Sequence, residues 1–268
     1  MRATRILFVL SLMAWAGAGY AAPPSVFLED LTWTELRDAQ RAGKTTVIIP
    51  VGGTEQSGPH LTLGKHNLRV KLLAGRIAET LGNAVVAPVV AYVPEGNITP
   101  PSSHMRFTGT ISIPDATFKS LLDASARSFK QHGFTDVVLI GDHGGYQSLL
   151  KAAALKLNQD WAATKARAHF IDTYYRVTQT AYVQSLQAKG LSEAQIGQHA
   201  GAADTSLQWA AAAGSVRPEQ FALAAREGLA LGVAGDPRSA SAALGQAGLD
   251  LIVSQTVAAI RLAIAPRH

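Results

Sequence analysis

The segment from Thr46 to Asn67 most constrains the fold, because it joins a strongly apolar run to a polar loop through two glycines. The run TVIIPV is rich in β-branched residues and has the composition of a buried strand. The loop beyond it carries carboxylate, amide and imidazole side chains: Glu55, Gln56, His60 and His66. A buried strand that continues into such a loop is typical of α/β enzymes, which place their chemistry at the carboxyl end of a sheet.

Further apolar runs alternate with segments of helical periodicity along the chain. The predicted strands are residues 46–51, 84–93, 135–140 and 166–171. The predicted helices are residues 68–81, 115–132 and 147–162, followed by the Ala-rich stretches 174–188, 192–196, 204–213 and 245–263. Pro88 lacks an N–H for a ladder, which predicts an edge or a bend in the second strand. The alternation predicts an α/β fold with a mostly parallel central sheet and helices on both faces.

The first 21 residues have the three-part layout of a secretory signal. Two arginines precede the apolar run Ile6 to Trp15, and small residues then lead to Ala21 and Ala22, after either of which cleavage is expected. The run is short for a membrane span, and its retention as an anchor is the alternative. The sequence therefore predicts a signal peptide over 1–21, a single domain over 22–268, and a secreted, periplasmic protein without a stable membrane anchor after cleavage.

Composition excludes some classes of function. The chain contains no cysteine, which excludes thiolate catalysis and thiolate metal sites. Its formal net charge of +5 includes Arg2 and Arg5 of the predicted signal, so the mature domain carries only a mild positive excess. No cluster of Lys and Arg alternates with aromatic residues, and no nucleic-acid partner is expected.

Three predicted strands end beside a polar group, with Glu55 after the first, His143 after the third and Asp172 after the fourth. Strand ends of a parallel sheet lie along one edge, so Glu55 and His143 can converge. Five of the eight histidines fall in Gly-rich loops: His60, His66, His104, His143 and His199. One such histidine alone is more often a surface or hydrogen-bonding residue, but their clustering with a carboxylate suits Zn, Mn, Co or non-haem Fe.

Other catalytic motifs are weakly represented. No G-x-G-x-x-G opens a predicted helix and no G-x-x-x-x-G-K-[ST] occurs, which argues against dinucleotide and P-loop phosphate binding. No G-x-S-x-G elbow is present, and nothing marks Ser57 near His60 as a nucleophile above chance.

Five stretches occur in order along the chain: PVGGTEQSGPHLTLGKHN, HMRFTGTIS, GDHGGY, HAGAADTS and GVAGDP. Together they resemble the creatininase family of metal-dependent amidohydrolases, from about Thr46 to the C-terminus. The resemblance implies a three-layer α/β/α sandwich and a homo-oligomer, frequently a hexamer. It also implies a site of two divalent metals that hydrolyses an amide bond in a small, often cyclic, substrate.

The resemblance also implies metal ligands, with departures from the family pattern. Glu55 looks like the glutamate of the family's E-x-H pair, whose histidine is replaced by Ser57. The family's bridging aspartate falls at His66, and a neutral imidazole offers its nitrogen to one metal only. We therefore expect about one metal per chain, Zn or Mn being favoured. Its predicted ligands are Glu55, His66, His143 and Asp204.

The remaining predicted site residues concern proton transfer and substrate. His199 looks like the histidine of the family's H-A-G turn and is predicted, with Glu55, to be catalytic; the alternative is a helix cap or a buried polar contact. The predicted substrate-binding residues are His60, His104, Arg106 and Tyr146. For Arg106 this means a forked hydrogen bond to a substrate carboxylate, unless it only anchors the loop.

These features predict an exported hydrolase that cleaves a non-peptide C–N bond, possibly cyclic, in a small amide by metal-activated water. A degenerate relative that binds a metal or small ligand without turnover is the main alternative, because a site can be lost while its fold persists. A C–O hydrolase such as a lactonase is a third interpretation.

Overall fold

The computed structural model describes residues 25–266. The predicted signal peptide lies outside this range, so it stays a prediction. Within the range, four parallel strands form one sheet in the order β2-β1-β3-β4. Their bounds are β1 (Thr46–Val51), β2 (Ala84–Val86), β3 (Asp136–Gly141) and β4 (Arg167–Phe170).

The register of the sheet brings the loops after β1 and β3 together. Thr46 pairs with Asp136 at one end of the two central strands, and Val51 pairs with Gly141 at the other. The loop that carries Glu55 and the loop that carries His143 therefore leave the sheet side by side, as expected from the sequence.

Ten α-helices cover the sheet within the described residues. They are α1 (Trp33–Arg41), α2 (Lys65–Leu81), α3 (Asp115–Gln131), α4 (Gln147–Asp160), α5 (Thr173–Gln179), α6 (Ala181–Gln187), α7 (Glu193–Ile196), α8 (Ala202–Ala211), α9 (Phe221–Glu227) and α10 (Ala242–Ile264). Capping residues explain several of the ends: Thr32 forms a capping box with Glu35 at the start of α1, and Gly82 takes a left-handed conformation after α2.

Two apolar cores lie on opposite faces of the sheet, because successive strand residues point in opposite directions. One core packs α2, α5, α6, α8 and α10 against the sheet residues Ile48, Val138 and Ile140. The other packs α3 and α4 against Val47, Ile49, Val137 and Leu139. Each fully buried Val, Leu or Ile side chain contributes roughly 1.5–3 kcal/mol, so these cores dominate the stability. The layers confirm the predicted three-layer α/β/α fold.

The structure differs from the predicted elements at several points. The second strand ends at Val86 and continues only as a single bridge between Val51 and Val90, because Pro88 interrupts the ladder. Helix α2 begins at Lys65, three residues before its predicted start, and so includes His66. The predicted helix over 174–188 is divided at Thr180, whose backbone is not helical.

Among the described helices, only α10 is long and apolar enough, by length and composition, to cross a membrane. It packs against α8, α5 and α2 through a face that includes Gly245, Leu249 and Ile252. Gly245 and Gly248 permit this close approach, since a Cβ on Gly245 would lie 1.8 Å from the Ser206 carbonyl oxygen. A central core helix has the same length and composition, so this finding alone does not indicate a membrane span.

Candidate metal and catalytic site

Glu55 lies at the centre of the polar edge of the sheet and its side chain is fully buried. Its backbone N–H donates to the Leu63 carbonyl oxygen at 3.1 Å, which fixes the loop that follows β1. Gly53 has φ +147°, and a Cβ there would lie 2.8 Å from Glu95 Oε1. Glycine at this position therefore lets the carboxylate of Glu95 approach the same loop.

Four side chains form the one group of potential metal ligands in residues 25–266: Glu55, Glu95, His104 and His143. One ligand atom from each lies within 4.8 Å of the others. Glu55 Oε2 lies 3.2 Å from His104 Nε2 and 3.5 Å from His143 Nε2. Glu95 Oε2 lies 3.5 Å from His143 Nδ1. We call these four residues the metal group.

The missing hydrogen bonds of the metal group suit the binding of a divalent cation. Glu55 Oε2 and both carboxylate oxygens of Glu95 are buried and have no hydrogen-bond partner among the described residues. Buried carboxylate oxygens without partners are costly, and a bound cation would satisfy them. Two carboxylates and two imidazoles are ligands that Zn and Mn accept.

The pKa values around the group follow from burial and from neighbouring charge. Burial, reinforced by the Glu55 carboxylate, raises the pKa of Glu95 to about 9. Burial lowers the pKa of His143 to about 4, so its imidazole is neutral at pH 7 and can act as a ligand. Burial alone would raise the pKa of Glu55, but Lys65 and His66 outweigh it and hold that pKa well below its usual value.

The other oxygen of Glu55 belongs to a closed ring of alternating charges. We call this the charged ring; its members in order are Glu55, His66, Asp142, Arg69, Asp204 and Lys65. His66 Nε2 lies 2.8 Å from Glu55 Oε1, and His66 Nδ1 lies 2.6 Å from Asp142 Oδ2. Arg69 donates at 2.7 Å to both aspartates. Lys65 donates to Asp204 and lies 3.5 Å from Glu55 Oε1, which closes the ring.

The charged ring corrects two predicted metal ligands. Both nitrogens of His66 face carboxylate oxygens, so both must carry hydrogen and neither offers a lone pair. Burial and Lys65 oppose this charge, but the hydrogen bonds to Asp142 and Glu55 raise the pKa of His66. Asp204 is also occupied, because Lys65 and Arg69 each take one of its oxygens. The structure places both residues outside the metal group.

His199 lies beside the metal group on the turn that precedes α8. Its backbone pairs with Ala234, and Gly197, at φ +68°, allows that contact because a Cβ there would lie 2.3 Å from the Ala234 oxygen. His199 Nε2 lies 3.0 Å from the Gln56 carbonyl oxygen, which only a protonated Nε2 can satisfy. Its Nδ1 then carries the lone pair, 3.7 Å from Glu55 Oε1. Burial lowers the pKa of His199 to about 3, so this lone pair is free at neutral pH.

The predicted substrate-binding residues are placed differently from one another. His104 lies in the metal group, and Arg106 lies exposed nearby with its Nε donating to the Ser103 carbonyl oxygen. His60 is buried, with Nε2 3.0 Å from the Ala200 oxygen, so it supports the turn before α8. Tyr146 requires correction: it is fully buried, and its hydroxyl bonds the backbone at the ends of β1 and β3 instead of facing the groove.

The structure also brings in residues that the sequence did not single out. Glu95 follows the interrupted second strand within the sequence PEGN, and Asp142 lies between Gly141 and His143. Lys65 and Arg69 lie one helical turn apart on α2. A carboxylate in a glycine-rich loop was the available signal for Glu95 and Asp142. Asp172, in contrast, is an exposed partner of Arg176.

His199 lines two separate cavities. A cavity of about 120 Å³ is lined by Lys65, His143 and His199 together with Tyr175 and Gln198. An open groove of about 440 Å³ runs past His104 and His199, with Arg106, Phe107 and Leu229 on its walls. A small molecule can therefore contact His199 and the metal group together.

Comparisons with known proteins agree with this geometry. The family model described as "Creatininase: Creatinine amidohydrolase" matches residues 29–260. A mycofactocin precursor peptide peptidase from Mycolicibacterium smegmatis is 37% identical over 119 residues, which are 42% of this chain and 45% of that protein. A creatinine amidohydrolase from Pseudomonas putida is 31% identical over 119 residues, which are 44% of this chain and 45% of that protein. The chain thus spans less than half the length of these curated relatives.

A solved structure entitled "Creatininase Mn" has a TM-score of 0.74 at 25% identity and covers 90% of this chain and 100% of that one. This similarity agrees with the α/β/α architecture. Together with the buried glutamates and the partly buried histidines, it confirms the prediction of a divalent-metal site.

Proposed function

Because this chain belongs to the creatininase family, we propose that it is a metal-dependent hydrolase of a non-peptide C–N bond in a small amide. The observation that carries the proposal is the metal group, in which three buried carboxylate oxygens have no partner among the described residues. Such oxygens beside two imidazoles, at the carboxyl edge of a parallel sheet, suit a catalytic metal site.

Glu55, Glu95, His104 and His143 would hold the metal, with Zn or Mn favoured by their oxygen and nitrogen ligands. When bound, a divalent ion polarises the substrate carbonyl and lowers the pKa of a coordinated water. We expect one ion per chain. Residues 25–266 contain one such group, and the charged ring supplies its own cations to Glu55 Oε1 and Asp204.

His199 is the proposed proton carrier of the reaction. Its Nδ1 lone pair, set by the bond from Nε2 to the Gln56 carbonyl oxygen, can accept a proton from the attacking water. It can then deliver that proton to the leaving nitrogen. Glu55 belongs to both the metal group and the charged ring. It therefore contributes a ligand and also fixes the position of the metal group relative to the charged ring.

The groove at Arg106 supports a substrate that carries a carboxylate and an apolar part. Arg106 is exposed on the wall of the groove, and its terminal nitrogens have no acceptor among residues 25–266. Leu229 is 77% exposed on the facing turn and offers an apolar contact. A planar guanidinium binds a carboxylate through two parallel hydrogen bonds.

Export to the periplasm and assembly into a homo-oligomer complete the proposal. The signal-like layout of residues 1–21 supports export. Leu63, Leu68 and Leu72 are partly exposed along α2 and the loop before it, which supports a contact between subunits. The hexamer rests on the family resemblance.

Metal analysis and an amide panel test the proposed function. Protein purified without chelator should hold about one divalent ion per chain by mass spectrometry and should hydrolyse at least one small amide. Glu55→Ala and His143→Ala should lose the ion, whereas His132→Ala, which changes an exposed histidine, should keep it.

Two tightly held ions per chain would contradict the single site, and retained metal in both ligand variants would contradict the assignment. Metal binding without hydrolysis of any amide would favour the alternative, a family member that binds without turnover. That alternative draws on Ser57, which is buried and has no hydrogen-bond partner among the described residues, where the family has a ligand.

A further inference from the structure

Lys65 has no role in the metal group, yet its side chain is only 1% exposed at the start of α2. A buried ammonium is costly unless it is paired and hydrogen-bonded. Here Asp204 accepts from Nζ, and Glu55 Oε1 lies 3.5 Å away. The cost of burial is therefore offset by two carboxylates, and the ammonium is held between them.

The rest of the charged ring fixes this arrangement. Three carboxylates alternate with three cationic side chains, so the ring is neutral when His66 is protonated. Arg69 bonds Asp142 and Asp204, while Tyr174 donates to Asp142 Oδ1 at 2.8 Å. Buried ion networks are weak evidence for stability, since well-packed apolar side chains often serve as well. Their position beside the reacting groups therefore calls for a functional explanation.

Lys65 also lines the cavity of about 120 Å³ that it shares with His143 and His199. An ammonium has three N–H donors; Asp204 accepts from one of them, and Glu55 Oε1 lies 3.5 Å from Nζ as an ion-pair partner. No third acceptor for Nζ occurs among residues 25–266, which leaves one donor for a group bound in the cavity.

We propose that Lys65 is a catalytic residue whose ammonium donates a hydrogen bond to the carbonyl oxygen of the bound amide. As water adds to the carbonyl carbon, the C=O π pair moves onto that oxygen, and Lys65 stabilises the resulting negative charge. His199 takes the proton of the water and returns it to nitrogen when the C–N bond breaks, so the products are a carboxylic acid and an amine. This inference rests on the proposed amide hydrolysis.

The arrangement meets the requirements of electrostatic catalysis. The donor is fixed before the substrate binds, its side chain is almost fully buried, and it needs no reorganisation during the reaction. The two carboxylates keep the ammonium in place without using its third hydrogen. A mobile surface lysine would first have to be desolvated and ordered.

Steady-state kinetics on the metal-loaded enzyme tests the role of Lys65. Because Lys65→Met alone leaves Asp204 unpaired, the main variant is the double change Lys65→Met with Asp204→Asn. Loss of one oxyanion donor lowers kcat by about 100- to 1,000-fold, and we expect that loss with KM changed less than about threefold. Lys71→Met, a half-exposed lysine on the same helix, is the matched control. Metal content should remain near one ion per chain in the wild type, the double variant and Lys71→Met.

A second measurement does not depend on turnover. Calorimetry measures the binding of methylphosphonate, a small tetrahedral anion, to the metal-loaded proteins. The anion should bind the double variant at least ten times more weakly than it binds the wild type or Lys71→Met. Equal affinity in all three proteins would overturn the proposal, as would a kcat within threefold of the wild type. If the wild type hydrolyses no amide, the proposed function fails first and the catalytic role of Lys65 with it. If the wild type hydrolyses an amide and the double variant does so with an unchanged kcat, only the catalytic role of Lys65 is refuted.

Discussion

Tyr146→Phe should destabilise the protein although it removes a single oxygen atom. The hydroxyl accepts from the His143 backbone N–H at 3.0 Å and donates to the Gly52 carbonyl oxygen at 2.5 Å. Asp142 N–H also bonds it, but that group keeps the Val51 oxygen as a partner at 3.0 Å. The substitution therefore leaves the partly buried His143 N–H and the buried Gly52 C=O without their partner.

The expected loss is about 3 kcal/mol, from two unsatisfied groups at roughly 1–2 kcal/mol each. For a domain of this size, that corresponds to a fall in Tm of about 6–12 °C. The ring itself is retained in phenylalanine, so its packing against Phe118, at a centroid distance of 5.6 Å, is unchanged.

Urea denaturation gives the free energy of unfolding, and a thermal melt gives the Tm. Tyr92→Phe is the control, because Tyr92 is 58% exposed. A Tm for Tyr146→Phe within 2 °C of the wild type would refute the reasoning that this hydroxyl joins the ends of β1 and β3.

Three further variants separate the parts of the site. Glu95→Gln should weaken metal binding at least tenfold, as measured by competition with a chelator. Burial raises the pKa of Glu95 to about 9, above its unfolded value. The metal-free wild type should therefore lose free energy of unfolding as the pH rises from 5 to 9, as measured by urea titration. In Glu95→Gln, the free energy of unfolding should depend less on pH over the same range. Asp142→Asn should cost about 3–5 kcal/mol of unfolding free energy by leaving His66 and Arg69 short of a buried partner, and a value under 1 kcal/mol would contradict the ring. Arg106→Ala should raise KM for a carboxylate-bearing amide at least fivefold with kcat unchanged, and should leave an uncharged amide unaffected.

The fold followed from the sequence because its signals are local. Runs such as TVIIPV and the glycines after them mark strands and their ends without reference to distant residues. Pro88 interrupts the second strand, as predicted, and the strand ends at Val86. The same strand ends placed Glu55 and His143 on one edge, which is why two members of the metal group could be named in advance.

The remaining site residues depend on contacts that periodicity does not carry. Glu95 and His104 lie in a loop whose path is set by its own turns, so the sequence pattern did not show that they join Glu55 as ligands of one metal. The partners of Arg69 lie 73 and 135 positions along the chain. His66 was expected to bind metal from its position in a motif, but the carboxylates of Asp142 and Glu55 face its two nitrogens and make it a hydrogen-bond donor on both sides.

Glu55 joins the metal group to the charged ring, because its two oxygens serve different partners. Oε1 faces Lys65 and His66, and Oε2 faces His104 and His143. Glu55→Gln should therefore lower metal affinity and the stability of the metal-free chain together, since it removes a ligand and also leaves the ring with an uncompensated positive charge. Glu95→Gln, outside the ring, should lower metal affinity without that loss of stability. If chelator competition and urea denaturation on metal-free protein give the same result for the two variants, Glu55 does not couple the two systems.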